Sequence, residues 1–330
     1  MRTHRSVAFA LLLVAIFAAS SKSFADGPVR VTTEANVVSI HEGSSPLLRY
    51  AYRSVPYKPC VQQLFTPGGV NVLRDSPADH KHHHALMYAV SVDGLNFWEE
   101  QKQPGRQMHK VFSDVTVSTQ NDVPHGGFTE QLDWVNPETD ELLLNESRTI
   151  AVYGQDDSGA TLLSWQSSFT VPGKKESATL SGSHYFGLGM RFVETMDAGP
   201  QIRNSSGRPG EIVRGSERLV RARWCALAAN ADGKPVTVAM FCHPDNLRHP
   251  THWFTMTAPF AYLSATMNLH REPLKITSDE PLRLRYAVAL WDGSVEDSQI
   301  DRLYRRWVED KPLTVVNSRE QNHSMLYPSG

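Results

Sequence analysis

Four imidazoles fall within five positions, at His80, His82, His83 and His84, directly after Asp79 and directly before the apolar run 85–90. Imidazole can ligate a metal, carry a proton or change charge near neutrality, so a cluster this dense is the first candidate for chemistry. A second group, His243, His249 and His252, occupies a segment stiffened by Pro244 and Pro250 that also carries Asn246, Arg248 and Trp253. The two segments are expected to meet in one pocket. There His82, His83 and His249 would move protons, while His80, Arg191, His243, Asn246, Arg248 and Trp253 would hold the substrate.

Two chemistries suit these residues. If the strand begins early, His80, His82 and His84 share one face and His83 takes the other. Imidazoles two apart on a strand suit zinc, copper, iron or nickel, so His80, His82 and His83 are candidate ligands for a divalent metal. No His-Glu-x-x-His motif and no cysteine pair completes a known ligand set. Proton transfer is the other chemistry: a histidine beside Asp79, or opposite Glu130, Glu146 or Glu194, can serve as general acid or base. A pocket that works on a sugar ring needs such a pair flanking it. Arg191 and Arg248 offer forked donors for a carboxylate or oxyanion. Trp98, Trp134, Trp224 and Trp253 can stack on a sugar or fill a core. His109, His125, His184 and His270 stand alone and read as structural or surface residues.

These groups must be positioned by strands. Segments 111–119, 127–135, 141–153, 161–171 and 178–181 are rich in Val, Thr, Leu, Trp or Phe and are set off by Gly, Pro, Asn or Asp. No helical periodicity intervenes, so the pattern predicts an all-β sandwich or barrel. Asp93-Gly94 and Asp232-Gly233 mark hairpins. Gly187 and Gly189 suit a bulge or a close backbone approach, and the 199–210 loop is a candidate rim. One helix is expected near the end, capped by Ser294 with Asp297 three residues on. Its apolar stripe is Ile300, Leu303, Tyr304, Trp307 and Val308, and Lys311-Pro312 stops it.

Of the 330 residues, the first 25 read as a signal peptide. Arg2 and Arg5 precede the apolar run 7–19, and Ser23-Phe24-Ala25 offers a small-x-small cleavage site. That run is short for a span, and nothing later approaches eighteen uninterrupted apolar residues. An exported chain without a membrane span in its mature form is expected. Arg2, Arg5 and Lys22 leave with the leader, so 30 basic and 35 acidic side chains remain, a formal charge of −5. This argues against a nucleic-acid partner, which needs a concentrated basic face. Cys60, Cys225 and Cys242 are too few for a disulfide framework. Cys225 and Cys242 flank a hairpin and read either as one bridge or as two buried thiols. No linker divides residues 26–330, which read as a single domain.

The two histidine segments also carry a resemblance. Asp79-His80-Lys81-His82-His83 followed by Gly94-Leu95-Asn96-Phe97-Trp98 is similar to the D-H-x-H-H and G-x-x-F-W elements of the PmoA-like family of secreted bacterial proteins. Trp224-Cys225 matches a later W-C element. His243-Pro244, Asn246, Arg248-His249-Pro250 and Trp253 match an H-P-x-N-x-R-H-P-x-x-W loop, so the resemblance spans nearly all of residues 26–330. Members commonly have Pro and Arg where this chain has Lys81 and His84, so no family role passes to either. The family's usual label, methane oxygenase, belongs to a subunit built of spanning helices, a feature not expected here. The resemblance implies no established activity, but it does imply the β-supersandwich of galactose-mutarotase-type proteins, which handle sugars with histidine and carboxylate pairs. The combined expectation is a large β-sandwich with one C-terminal helix. Its partner would be a glycan or other small molecule, acted on by a carbohydrate-active lyase, hydrolase or epimerase. The alternatives are a metal-dependent, oxidative histidine protein and a non-catalytic glycan-binding module.

Overall fold

In the computed structural model the described residues are 28–310, apart from positions 54, 56, 121 and 174. The expected signal peptide and the Lys311-Pro312 stop lie outside them. The alternating segments form antiparallel sheets of ten, eight and four strands. The ten-stranded sheet runs from Val29–Thr33 to Glu211–Arg214. Side by side within it lie Leu86–Ala89, Gly187–Arg191, Tyr262–Thr266, His252–Met256 and Glu217–Arg221. The eight-stranded sheet runs from Gln201–Asn204 to Arg106–Gln120. The all-β sandwich with a C-terminal helix is therefore the architecture the sequence pattern predicted.

Because successive side chains on a strand point to opposite faces, each sheet supplies one apolar layer to the space between them. Tyr88, Trp253 and Leu263 come from the ten-stranded sheet, and Trp134, Trp165 and Phe169 from the eight-stranded one, all buried. The Tyr88 ring lies 5.3 Å from Phe169 and 6.2 Å from Trp134. Full burial of each large side chain contributes on the order of 1.5–3 kcal/mol.

Within this apolar layer sits one fully buried ion pair. Glu146 accepts from Arg148 Nη2 at 2.8 Å and Nε at 2.9 Å, from Trp134 Nε1 at 2.9 Å and from Ser167 Oγ at 2.6 Å. Arg148 also lies 4.7 Å over the Trp165 ring. Glu130, buried as well, accepts from Tyr50 and pairs with His109 Nδ1 at 2.6 Å. Both glutamates belong to the core and neither faces a substrate cavity. Glu194, the third carboxylate considered, is exposed and paired with Arg74 at 3.1 Å.

The helix spans Asp297–Glu309 and begins later than Ser294 would require. Glu296 is the cap, because its side chain takes the amide of Gln299 while the Gln299 side chain returns to the Glu296 amide at 3.1 Å. Ile300, Leu303, Tyr304 and Trp307 are buried against the eight-stranded sheet, with Val308 packed at their margin. No described helix is long and apolar enough to cross a membrane. Cys60, Cys225 and Cys242 are buried free thiols, and Cys225 faces Met240 across the hairpin instead of Cys242.

Candidate functional site

The outward face of the ten-stranded sheet is ordered by register into three rungs. The first holds Met256, Tyr262 and Arg191, and the second holds Leu219, Phe254, Ser264 and Gly189. The third holds Arg221, His252, Thr266 and Gly187. Gly189 is required on the second rung. A Cβ there would run into Tyr262 Oη and Trp98 Cη2, so its absence lets both rings lie across the strand. That is the close approach the sequence suggested.

The histidine cluster does not start the strand. Asp79 to His83 is a turn, closed by amides of His80 to Pro77 O at 3.0 Å and of His83 to His80 O at 2.9 Å. Strand alternation therefore does not apply to it. The turn stacks His80 on His83 at 4.8 Å between centroids and sets His82 edge-on to His83 at 4.5 Å. His84 turns away to Asp75 and Glu100. Asp79 accepts from Arg191 Nη2 at 3.3 Å and holds His80 Nδ1 at 3.0 Å.

His80, His82 and His83 line a cavity of about 510 Å³ with Glu99, Tyr185, Glu217, Phe254, Met256, Phe260 and Tyr262. Burial pushes the His83 imidazole down to about 2, with His82 and His80 beside it acting in the same direction. Burial also lowers His82. Both rings are therefore neutral near pH 7. Glu99 accepts from Tyr185 Oη at 2.9 Å. Glu217 is buried and pairs with Arg214 Nη2 at 2.6 Å and, more loosely, with His184 Nε2 at 3.4 Å. Arg191 lies beside the cavity, 2% exposed, with its guanidinium carbon 3.5 Å from the Phe260 centroid. Its Nε and Nη1 have no hydrogen-bond partner. Neutral imidazoles, two carboxylates and several aromatic faces around one opening can bind a polar ring and move a proton at it.

The second histidine segment goes elsewhere, which corrects the expectation of a shared pocket. The cavity of His80, His82 and His83 has no lining residue from the second segment, whose His243 and Asn246 border one separate depression and His252 another. His243 accepts the Asp245 amide at 3.2 Å on Nδ1, and its Nε2 donates to Val308 O at 3.3 Å. Asn246 brackets Arg285, taking its amide at 2.7 Å and giving to its carbonyl at 2.8 Å. Arg285 in turn donates to Trp307 O and Asp310 O, both at 3.0 Å. His243, Asn246 and Arg285 thus fasten the C-terminal end of the helix, whose last carbonyls need donors. Arg248 donates to Met267 O and Glu272 O at 2.7 Å each, locking the loop. His249 lies close enough to His243 to depress its own protonation, after the larger effect of burial. Trp253 points inward, fully buried, and donates to Ala222 O at 2.8 Å. Its neighbours Phe254 and Met256 reach the cavity instead.

The metal reading was tested on donor geometry. Among the described residues, one set of three or more donor atoms lies within 4.8 Å of one another, and it is Cys60, Asp75 and His84. His80, His82 and His83 do not converge in this way. Even the converging set is built as an ion network. His84 puts Nδ1 2.9 Å from Asp75 and Nε2 2.6 Å from Glu100, and buried Lys58 sits 2.7 Å from Glu100. Burial opposes charge on His84, but the two carboxylates outweigh it and raise its affinity for a proton. Glu99, Tyr185, Glu217, Phe260 and Tyr262 escaped sequence reasoning. They stand on separate strands and loops, and only Glu99, adjoining Phe97-Trp98, lay near a motif.

Residues 37–305 match the model of DUF6807, a family of unknown function, and the chain belongs to that family. Comparison with curated protein sequences finds no match. Among solved structures the chain is similar to the GH36 alpha-galactosidase AgaB from Geobacillus stearothermophilus, with a TM-score of 0.51 at 10% identity over 83% of this chain and 42% of that one. It is also similar to an alpha-galactosidase from Lactobacillus brevis (TM-score 0.44, 8% identity, 82% and 40% covered). A galactose mutarotase related enzyme from Lactobacillus acidophilus gives a TM-score of 0.34 at 8% identity, with 82% and 98% covered. The chain thus spans about two fifths of the length of the alpha-galactosidases it matches. At such identity the first likeness speaks to the fold alone.

Proposed function

We propose that this DUF6807 member is a carbohydrate-active enzyme, of lyase, hydrolase or epimerase type, that works in the cavity of His80, His82 and His83. The observation that carries the reading is the pairing of His80 with Asp79 at 3.0 Å on the edge of an aromatic-lined cavity. A carboxylate on Nδ1 fixes the tautomer and orientation of an imidazole, leaving Nε2 to exchange a proton with substrate. His80 is the proton-transfer group in this reading and Asp79 its positioning residue. His82 and His83, neutral in their buried places, exchange hydrogen bonds with sugar hydroxyls without adding charge. Phe254, Phe260 and Tyr262 supply faces against which a sugar ring packs. Glu99 and Glu217, which line the same cavity, are the carboxylates available as the second half of an acid and base pair. The GH36 alpha-galactosidase AgaB, named for a sugar substrate, supports the class without selecting the bond.

Export is part of the same proposal and rests on the basic, apolar and small-residue pattern of residues 1–25. Mass spectrometry of the protein recovered outside the cytoplasm should give a chain beginning at Asp26; retention of Met1 in that fraction would overturn export by cleavage. For activity, the protein is incubated with a panel of mono-, oligo- and polysaccharides. Products are read by NMR for anomeric exchange, epimerisation and new unsaturated or reducing ends. Turnover on one member, lost in His80→Ala while sugar binding persists, is the expected result. Binding without turnover on every member would make the chain a glycan-binding module instead.

A further inference from the structure

A second depression adjoins the histidine cavity on the same sheet face, and its chemistry points to charge on the ligand. It measures about 490 Å³ and is lined by Arg208, Arg221, Arg271, Glu211, His252 and Asn268, among others. Three guanidiniums there face one carboxylate. Arg271 and Glu211 pair at 2.8 Å. Arg221 spends its hydrogen bonds on neutral carbonyls, Pro250 O at 3.1 Å and His249 O at 3.4 Å, so its charge is left without an acidic partner among the described residues. Arg208 is exposed and makes no ion pair with a described residue. Buried Nδ1 atoms of His252 and His270 have no hydrogen-bond partner.

The two depressions are joined by register. His252 lies two residues from Phe254 on the same face of one strand, a step of roughly 7 Å. Ring contacts continue the path: Phe254 to His184 at 5.3 Å and His184 to His270 at 5.9 Å. An extended ligand seated on the aromatic floor of the first depression would therefore lay its next units over the arginines.

We infer that the natural ligand is an acidic saccharide chain, carrying carboxylate or sulfate groups, whose charged units are held by Arg208, Arg221 and Arg271 beside the histidine cavity. Guanidinium forks match both anions in geometry, and their placement on an open face suits a polymer that continues beyond the site. The inference rests on the carbohydrate reading for the first cavity, but binding at the arginines is measurable without turnover.

The test uses isothermal titration of the full chain with oligogalacturonate, its neutral methyl ester and a sulfated galactan oligosaccharide whose anions are sulfates alone, each at two salt concentrations. The double variant Arg208→Gln/Arg271→Gln leaves Arg221 on its backbone carbonyls, and an unchanged melting temperature certifies its fold. One of the two anionic oligomers should bind at least tenfold more tightly than the neutral ester. That binding should weaken with salt, and the double variant should lose tenfold or more of it. Carboxylate and sulfate arms tell which anion is preferred. Equal binding of the neutral ester, indifference to the double substitution, or binding of no probe would overturn the inference. Because the His80→Ala variant keeps the arginines, its retained binding of the charged oligomer with no wild-type turnover would fail the enzyme reading while sparing this one.

Discussion

His84 and Glu100 lie 2.6 Å apart, Nε2 to Oε1, while the other ring nitrogen of His84 is 2.9 Å from Asp75. The imidazole is thus held between two carboxylates and favours its charged form, and both acids are lowered by the hydrogen bonds they accept even though burial works the other way. A base raised on folding contributes stability fully below its unfolded value, about 6.5 for histidine, and loses it as pH climbs through the raised value. The depressed acids contribute above about 4 and lose their share as pH falls through their folded values. The melting-temperature gap between wild type and His84→Gln should therefore be widest between about pH 4 and 6.5 and should narrow on the alkaline side. A gap that grows steadily from pH 6 to pH 9 would contradict this arrangement.

Removing one member of the buried Glu146–Arg148 pair leaves a charge stranded in the core. Glu146→Ala should cost about 3–5 kcal/mol, measured by urea unfolding, because Arg148 then loses its direct carboxylate partner and reaches the other core acid, Glu130, only through Tyr50. A loss below about 1 kcal/mol would mean that water or another carboxylate reaches Arg148.

Gly189→Ala tests how the cavity floor is built. The added methyl must displace Tyr262 or Trp98, so overpacking should cost about 1–3 kcal/mol and shift the near-ultraviolet circular dichroism of those rings. A variant as stable as wild type with an unaltered spectrum would show that neither ring lies against the strand.

Asn246→Ala should loosen the helix without touching the cavity. Its amide and carbonyl oxygen bracket the Arg285 backbone, and an unsatisfied buried partner costs about 1–3 kcal/mol. Hydrogen exchange of residues 297–309 should accelerate; acceleration confined to residues 79–84 would instead place Asn246 at the histidine site.

The strands, the hairpins at Asp93-Gly94 and Asp232-Gly233 and the helix stripe were legible because their periodicity and turn chemistry are local. The first histidine cluster was legible as a site, but its geometry was not. Asp79 to His83 closes a turn through backbone hydrogen bonds, so the alternation assumed for a strand gave the wrong grouping for His82 and His84. The second segment misled for a related reason. Histidine, asparagine and arginine on a proline-stiffened loop are also what a helix end requires, and His243 and Asn246 serve Val308 and Arg285. Trp253 shows the finest limit, since one step along the strand separates a core ring from Phe254 in the cavity. Glu99, Glu217 and Phe260 come together only through sheet order, which no spacing in the chain encodes.

The most direct measurement is turnover of the responsive glycan by His80→Ala and His249→Ala side by side, with Asp79→Asn as a third variant. The account predicts a loss of about 10²- to 10⁴-fold for His80→Ala, a smaller loss for Asp79→Asn, and wild-type turnover for His249→Ala. Full activity in His80→Ala, or its disappearance in His249→Ala, would contradict the assignment of the chemistry to the first histidine cluster.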